Sequence, residues 1–402
     1  MNELAINGGT PVRDTLLGYG HQLIGDDDIQ AVVNVLKSDF LTCGPATAAF
    51  ESALSERVGA EYVTAVSSGT AALHVACLAA GIREGDEVIV SPITFAASAN
   101  CVHYCGGTAV FADIDPETWQ IDPAKIEEKI NDKTKAVVAV DFGGCTPDVQ
   151  AIRDICSRYN LTYIEDAAHS IGSTVEGRPV GSLADITCFS FHPVKTVVTG
   201  EGGAVATCAE TLATKVELFA KHGITRRLDL MREPKVGGWH YEQLELGYNY
   251  RISDIQAALG TSQLAKLDQF ATRRRELVAY YNREFSSIPE VTFQKDEHPE
   301  ESVRHLYCLR FDFEKLGTTR RQIFDALRAE GIGVNVHYLP VYLLPWYMDI
   351  GHTAGECPNA EAYYEQAVTL PLHCSVTDSD AHDVVTAVRK VVEFYKTNKS
   401  AR

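Results

Sequence analysis

Lys195 closes the run Cys188-Phe189-Ser190-Phe191-His192-Pro193-Val194-Lys195 and stands just ahead of Thr199-Gly200-Glu201-Gly202-Gly203. Apolar residues followed by a glycine-rich turn predict a buried strand that delivers the amine to the rim of a sheet. An amine held there loses hydration, which lowers its pKa and makes it a nucleophile toward carbonyl carbon. Upstream, Leu161-Thr162-Tyr163-Ile164 reads as another buried strand, with Glu165-Asp166 at its C-terminal end. Open parallel sheets bind ligands beyond the carboxyl ends of their strands. A third segment, Val63 to Val66, gives way to Ser67-Ser68-Gly69-Thr70 and then to a helical pattern with apolar Ala72, Val75, Ala76 and Ala79. The free amides and dipole of such a helix start favour a phosphate; Gly69 permits close backbone approach and Thr70 offers a hydroxyl.

Each signal has an ordinary alternative. A lysine beside a loop is usually a solvated surface group, a strand-end carboxylate is often a helix cap, and small-residue turns are common. Taken together they supply what pyridoxal phosphate chemistry needs. That is an amine for a Schiff base, an acid to keep the pyridine nitrogen protonated, and a phosphate seat. Asp166 is the candidate for the ion pair with that nitrogen. The turn is neither a Walker loop nor a GxGxxG fingerprint, which counts against a nucleotide cofactor.

These residues need a rigid sheet to hold them. Apolar, β-branched runs occur at Val63–Val66, Glu87–Val90, Ala109–Ala112, Ala136–Val140, Thr162–Ile164, Thr187–Phe191 and Ala204–Ala206. Most are separated by helical segments such as Pro123–Ile130 and Val149–Tyr159, so an α/β fold with a mainly parallel seven-stranded sheet is expected. A long helical region from about Ser253 to Glu284 follows. Leu306–Phe311, Arg320–Ala329 and Val334–Tyr338 then read as strand, helix and strand, and Ser379–Tyr395 as a terminal helix. The 402 residues divide into an N-terminal arm (1–20), a large domain (21–270) and a smaller C-terminal α+β domain (271–402).

A formal charge of −18 argues against nucleic-acid binding, which needs a basic face. Eleven cysteines without a CxxC pair predict reduced thiols in the cytoplasm. Cys101 and Cys105 would share a helix face, but no matching pair exists elsewhere, so no metal site is expected. The N-terminus is polar and is expected to carry no targeting segment. The most apolar stretch, Ala71 to Ile82, is too short to cross a bilayer, which takes about 20 residues.

Several motifs carry a family resemblance. Ser68-Gly69-Thr70-Ala71-Ala72-Leu73, Ser91-Pro92-Ile93-Thr94-Phe95, Glu165-Asp166-Ala167-Ala168-His169, Ser190 to Lys195, Gly200-Glu201-Gly202-Gly203 and Gly247-Tyr248-Asn249-Tyr250-Arg251 look like those of the DegT/DnrJ/EryC1/StrS sugar aminotransferases. The likeness runs from about Tyr19 into the C-terminal region and implies a fold-type I pyridoxal phosphate-dependent transferase. Trp239-His240-Tyr241-Glu242 and Val336-His337-Tyr338-Leu339-Pro340-Val341-Tyr342 resemble the subgroup acting in pseudaminic acid biosynthesis.

The resemblance also implies roles. Lys195 carries pyridoxal 5'-phosphate and shuttles protons, and Asp166 pairs with the ring nitrogen. Gly69, Thr70 and Ser190 hold the phosphate, Phe95 stacks on the ring, and His169 meets its hydroxyl. Phe95 and His169 read equally as packed core residues from the sequence pattern alone. Asn249 reaches into the phosphate site of a second copy, making the active site a property of a homodimer, and Arg251 accompanies it. Tyr19, Asp39, Phe40, Leu41, Thr42, His337 and Tyr338 face the sugar nucleotide. Asp39 stands where at least one relative carries lysine, which puts a diphosphate contact there in question. L-Glutamate gives its amine and leaves as 2-oxoglutarate, with pyridoxamine phosphate as the intermediate cofactor form, and a UDP-linked 4-keto-6-deoxy-N-acetylhexosamine receives it. Another nucleotide-linked keto-sugar stays open as the acceptor. So does a pyridoxamine phosphate-dependent sugar dehydratase, although such enzymes carry histidine at the lysine position.

Overall fold

A computed structural model of the protein describes residues 3–233 and 237–400. The seven apolar runs become β1 (Tyr62–Val66), β2 (Glu87–Val90), β3 (Thr108–Phe111), β4 (Thr134–Val140), β5 (Thr162–Asp166), β6 (Ile186–Ser190) and β7 (Gly203–Thr207). They pair in the order β1-β7-β6-β5-β4-β2-β3. Only β7 runs antiparallel, to β1 and β6, and the other pairings are parallel. Helices cover both faces, so both faces must be apolar. In β4 every residue but Lys135 is buried.

Strand alternation sorts side chains into two cores. Val88, Val90, Val138, Ile164 and Cys188 face one side, while Ile89, Val137, Tyr163 and Phe189 face the other. The covering helices include α1 (Asp26–Leu36), α2 (Pro45–Val58), α3 (Gly69–Ala79), α4 (Ala97–Tyr104), α5 (Pro123–Lys129), α6 (Val149–Tyr159) and α7 (Glu210–Ala220). A third core gathers Leu4 with Leu277, Tyr281, Tyr307, Phe311, Ile323, Val368 and Val388. Its sheet is antiparallel, β8 (Val291–Phe293), β9 (Tyr307–Phe311) and β10 (Ala367–Leu370), in that order.

The strand expected over Val334–Tyr338 is not formed, and the expected long helical region is divided. The helical region expected from about Ser253 to Glu284 is present as two helices, α8 (Asp254–Leu264) and α9 (Leu267–Phe285). Leu264 and Leu267 pack in the sheet core whereas Leu277, Tyr281 and Phe285 pack in the third core, and the break at Ala265–Lys266 re-aims the chain between them. We propose the domain boundary near residue 270 on this handover.

Val334–Tyr338 makes only an isolated bridge, Asn335 to Thr369. Its backbone is satisfied by side chains instead: Asn335 Oδ1 accepts from Val336 N (2.8 Å) and Tyr363 Oη donates to His337 O (2.6 Å). After β5, Ala168–Ser170 forms a turn. Among the described residues no helix is long and apolar enough to cross a membrane, and no His, Cys, Asp and Glu cluster is arranged to hold a metal ion.

Candidate active site

A cavity of about 620 Å³ opens beyond the carboxyl ends of β5 and β6. Gly69, Thr70, Phe95, Asp166, His169, Ser190 and Lys195 line it, as do Tyr19, His337 and Tyr338. Lys195 lies in the loop after β6, where its N–H donates to His192 O (2.8 Å) and Thr199 N donates to Phe191 O (2.9 Å) to close the loop. Burial pushes the amine down to about 8, against the opposing pull of Asp166.

Asp166 ends β5 and is 4% exposed. Its Oδ2 accepts from Ser98 Oγ on α4 (2.6 Å) and its Oδ1 from Ala168 N (3.1 Å). Burial raises its pKa, while those hydrogen bonds and the charge of Lys195 pull it down. A cation placed beside it would hold it ionised.

The helix start is capped by Ser68, whose Oγ accepts from Ala71 N (3.1 Å). The first amides of α3 have no partner within the helix. A Cβ on Gly69 would lie 2.7 Å from Ser190 Cβ, so glycine is what lets this backbone approach the serine. Amides, Thr70 and Ser190 therefore form a cradle for phosphate.

His169 packs against His305, ring centroids 4.6 Å apart. Gly143 N donates to its Nδ1 (3.3 Å), so the neutral ring carries its proton on Nε2, 3.5 Å from the Tyr338 hydroxyl. Burial, with Lys195 and His337 adding to it, lowers the His169 pKa well below its ordinary value. His337 Nδ1 meets Thr369 Oγ1 (2.8 Å), and burial pushes its pKa down to about 4. Its ring lies 5.2 Å from that of Tyr19. Phe95 stays 64% exposed at the mouth.

The remaining expected residues lie elsewhere. Asp39, Phe40, Leu41 and Thr42 are exposed, anchored where Leu41 O accepts from Asp254 N (3.0 Å). Asn249 is exposed and bridges Lys221, while half-buried Arg251 bridges Val66. None of these six lines the cavity. Asn335, at the head of the run Asn335–Tyr338 expected to face the sugar nucleotide, lines it too, while Ser98 and His305 line it without having been singled out. For Ser98 a signal existed, one helical turn beyond Phe95; His305, just ahead of a strand, offered none.

The residues present fit pyridoxal 5'-phosphate: an amine with its pKa lowered to about 8, a buried acid at a strand end, and a helix start where a Cβ on Gly69 would collide with Ser190. The comparisons agree. Residues 22–389 match the model of the DegT/DnrJ/EryC1/StrS aminotransferase family. The chain is 41% identical over 383 residues to the spore coat polysaccharide biosynthesis protein SpsC of Bacillus subtilis, covering 95% of this chain and 98% of SpsC. It is 36% identical over 386 residues to a UDP-4-amino-4,6-dideoxy-N-acetyl-beta-L-altrosamine transaminase of Campylobacter jejuni, covering 95% and 99%. Helicobacter pylori PseC, an aminotransferase involved in the biosynthesis of pseudoaminic acid, superposes with a TM-score of 0.87 at 32% identity over 94% of this chain and 100% of PseC. The Streptococcus pneumoniae protein Spr1654, in its PLP form, gives 0.86 at 30% identity over 94% and 99%. This chain therefore belongs to the DegT/DnrJ/EryC1/StrS aminotransferase family and is a pyridoxal 5'-phosphate-dependent sugar aminotransferase.

Proposed function

We propose that the enzyme transfers the amino group of L-glutamate to a UDP-linked 4-keto-6-deoxy-N-acetylhexosamine, as in pseudaminic acid biosynthesis. The observation that carries the chemistry is the meeting of Lys195, Asp166 and the Gly69 cradle in one cavity. The likeness to the Campylobacter transaminase and to PseC supports the acceptor.

When bound, pyridoxal 5'-phosphate supplies the electron sink that lets a proton leave the donor's α-carbon, and it alternates with pyridoxamine 5'-phosphate between half-reactions. Lys195 would carry it, the α3 amides, Thr70 and Ser190 would hold its phosphate, and Asp166 would face its ring nitrogen. Lys195 Nζ, whose pKa burial lowers to about 8, takes the α-proton of the donor as general base and returns a proton as general acid. In the second half its transfers run in reverse. Asp166, fixed by Ser98 and Ala168, would be held ionised by a positively charged ring nitrogen placed beside it. His169 Nε2–H faces the Tyr338 hydroxyl at the cavity wall (3.5 Å). Tyr19, His337 and Tyr338 form the side on which a sugar would lie.

We also infer a homodimer, acting in the cytoplasm, in which Asn249, Arg251 and residues 39–42 serve the cavity of the other copy. Their position outside their own cavity supports this, as do the exposed large apolar side chains Phe40, Leu41, Trp239 and Leu246, which a partner surface could bury. A second acceptor, another nucleotide-linked keto-sugar, draws support from the higher identity to SpsC. The dehydratase reading loses ground to Lys195 itself. Holoenzyme supplied with L-glutamate and a panel of UDP- and dTDP-linked keto-sugars decides among these. An aminated UDP-N-acetyl sugar identified by NMR is expected, and turnover confined to dTDP-sugars would contradict the proposal.

A further inference from the structure

The cavity must admit a dicarboxylic amino acid, yet no arginine lines it, and its one cationic lysine is the reacting group. Two buried arginines stand close by and are already committed. Arg274 Nη1 donates to the carbonyls of Arg304 (3.0 Å), His305 (3.4 Å) and Leu372 (3.1 Å). Arg304 donates through Nε to Gly143 O (3.1 Å) and through Nη2 to Gln294 Oε1. A carboxylate entering this cavity therefore meets neutral donors. Of the three buried histidines there, two are engaged on both nitrogens: His169 by Gly143 N and Tyr338 Oη, and His337 by Thr369 Oγ1 and Asn335 Nδ2.

His305 is different. It is 5% exposed, its Nδ1 is sealed from solvent without a partner, and its side chain makes no hydrogen bond among the described residues. Its backbone is pinned by Gly143 O, which accepts from its N–H at 2.8 Å, and by Arg274. With Nδ1 sealed, the ring edge left for the cavity is the Nε2 side. No protein group meets Nε2 among the described residues, so a ligand acceptor in the cavity can take its hydrogen bond.

We propose that His305 Nε2–H binds a carboxylate of the amino donor and of the keto acid it becomes, and so selects the donor without contributing to recognition of the sugar. This rests on the aminotransferase reading with glutamate as donor.

Single-turnover reactions of the holoenzyme, followed through the cofactor spectrum, test it. His305→Asn removes Nε2 and should raise the half-saturating glutamate and 2-oxoglutarate concentrations roughly 10- to 100-fold, the worth of a hydrogen bond to a charged group. Its limiting rates, and the half-reaction with the keto-sugar, should stay within about threefold of wild type. His305→Gln puts an amide nitrogen where Nε2 stood and should restore donor binding to within about threefold. Glutarate, with both carboxylates but no amine, should weaken as an inhibitor in parallel. Loss of limiting rate in both half-reactions, or unchanged saturation by glutamate and glutarate in His305→Asn, would overturn the proposal. Should His305→Asn fail to fold, His305→Gln decides, because tenfold weaker glutarate binding in that variant also contradicts the role. A wild-type enzyme inert to glutamate but driven by another amino acid would refute the glutamate reading alone, and the same comparison with that donor would then judge His305.

Discussion

The ends of β5 and β6 and the surface strips at 39–42 and 249–251 offer two unlike versions of a binding site. At the strand ends, Asp166, Lys195, Ser190 and Gly69 converge on one cavity, each held by backbone or side-chain hydrogen bonds or by close packing. On the surface strips, six residues expected at the same site line no part of it. The difference teaches that one chain gathers Lys195, Asp166, Ser190 and Gly69 by itself. The proposal that the surface strips serve a second copy accounts for their place outside this cavity.

The comparison can be broken first at Lys195. Lys195→Ala is expected to lose roughly 10⁴-fold or more of steady-state transamination, since one residue supplies both the covalent link and the acid–base transfers. Activity within tenfold of wild type would remove the strand-end half of the account.

A mixing experiment sharpens the other half. Lys195→Ala and Asn249→Ala homodimers should each be strongly impaired. Co-refolded together, they should regain about a quarter of wild-type activity, because half the dimers then hold one site with both residues intact. A site made within one chain gives no recovery.

The smallest effect concerns pH. An ordinary lysine titrates near 10.5, and Lys195 is pushed down to about 8 by burial, so its neutral fraction at pH 7 is about 300-fold larger. Between those two values the folded chain binds fewer protons than the unfolded one. Burial of this amine therefore costs stability below pH 8, and the cost is relieved as pH rises through the window. Uptake of pyridoxal 5'-phosphate by cofactor-free protein should accelerate with pH to a midpoint near 8 and then level. A rate still climbing as for a free lysine would contradict the lowered pKa.

Much of this was legible in the sequence for a physical reason. Strands buried on two faces must be continuous apolar runs, and all seven were visible as such, with Lys195 between the last two. Lys195, Asp166 and Gly69 stood out because each follows a strand end, where parallel sheets place their chemistry. The break at Ala265–Lys266 was hidden because both halves keep helical spacing, and what separates them is which core each half meets. Val334–Tyr338 has a strand's apolar alternation, but Asn335 caps Val336 N from within the segment and Tyr363 donates to His337 O from a distance in sequence. His305 left no trace because its meaning lies in a missing partner, which only three-dimensional packing reveals.

The most direct measurement is borohydride reduction of the holoprotein followed by peptide mass mapping. A phosphopyridoxyl group on Lys195, abolished in Lys195→Ala, is the predicted result. Labelling of a different lysine, or of none in protein that has bound the cofactor, would contradict the account.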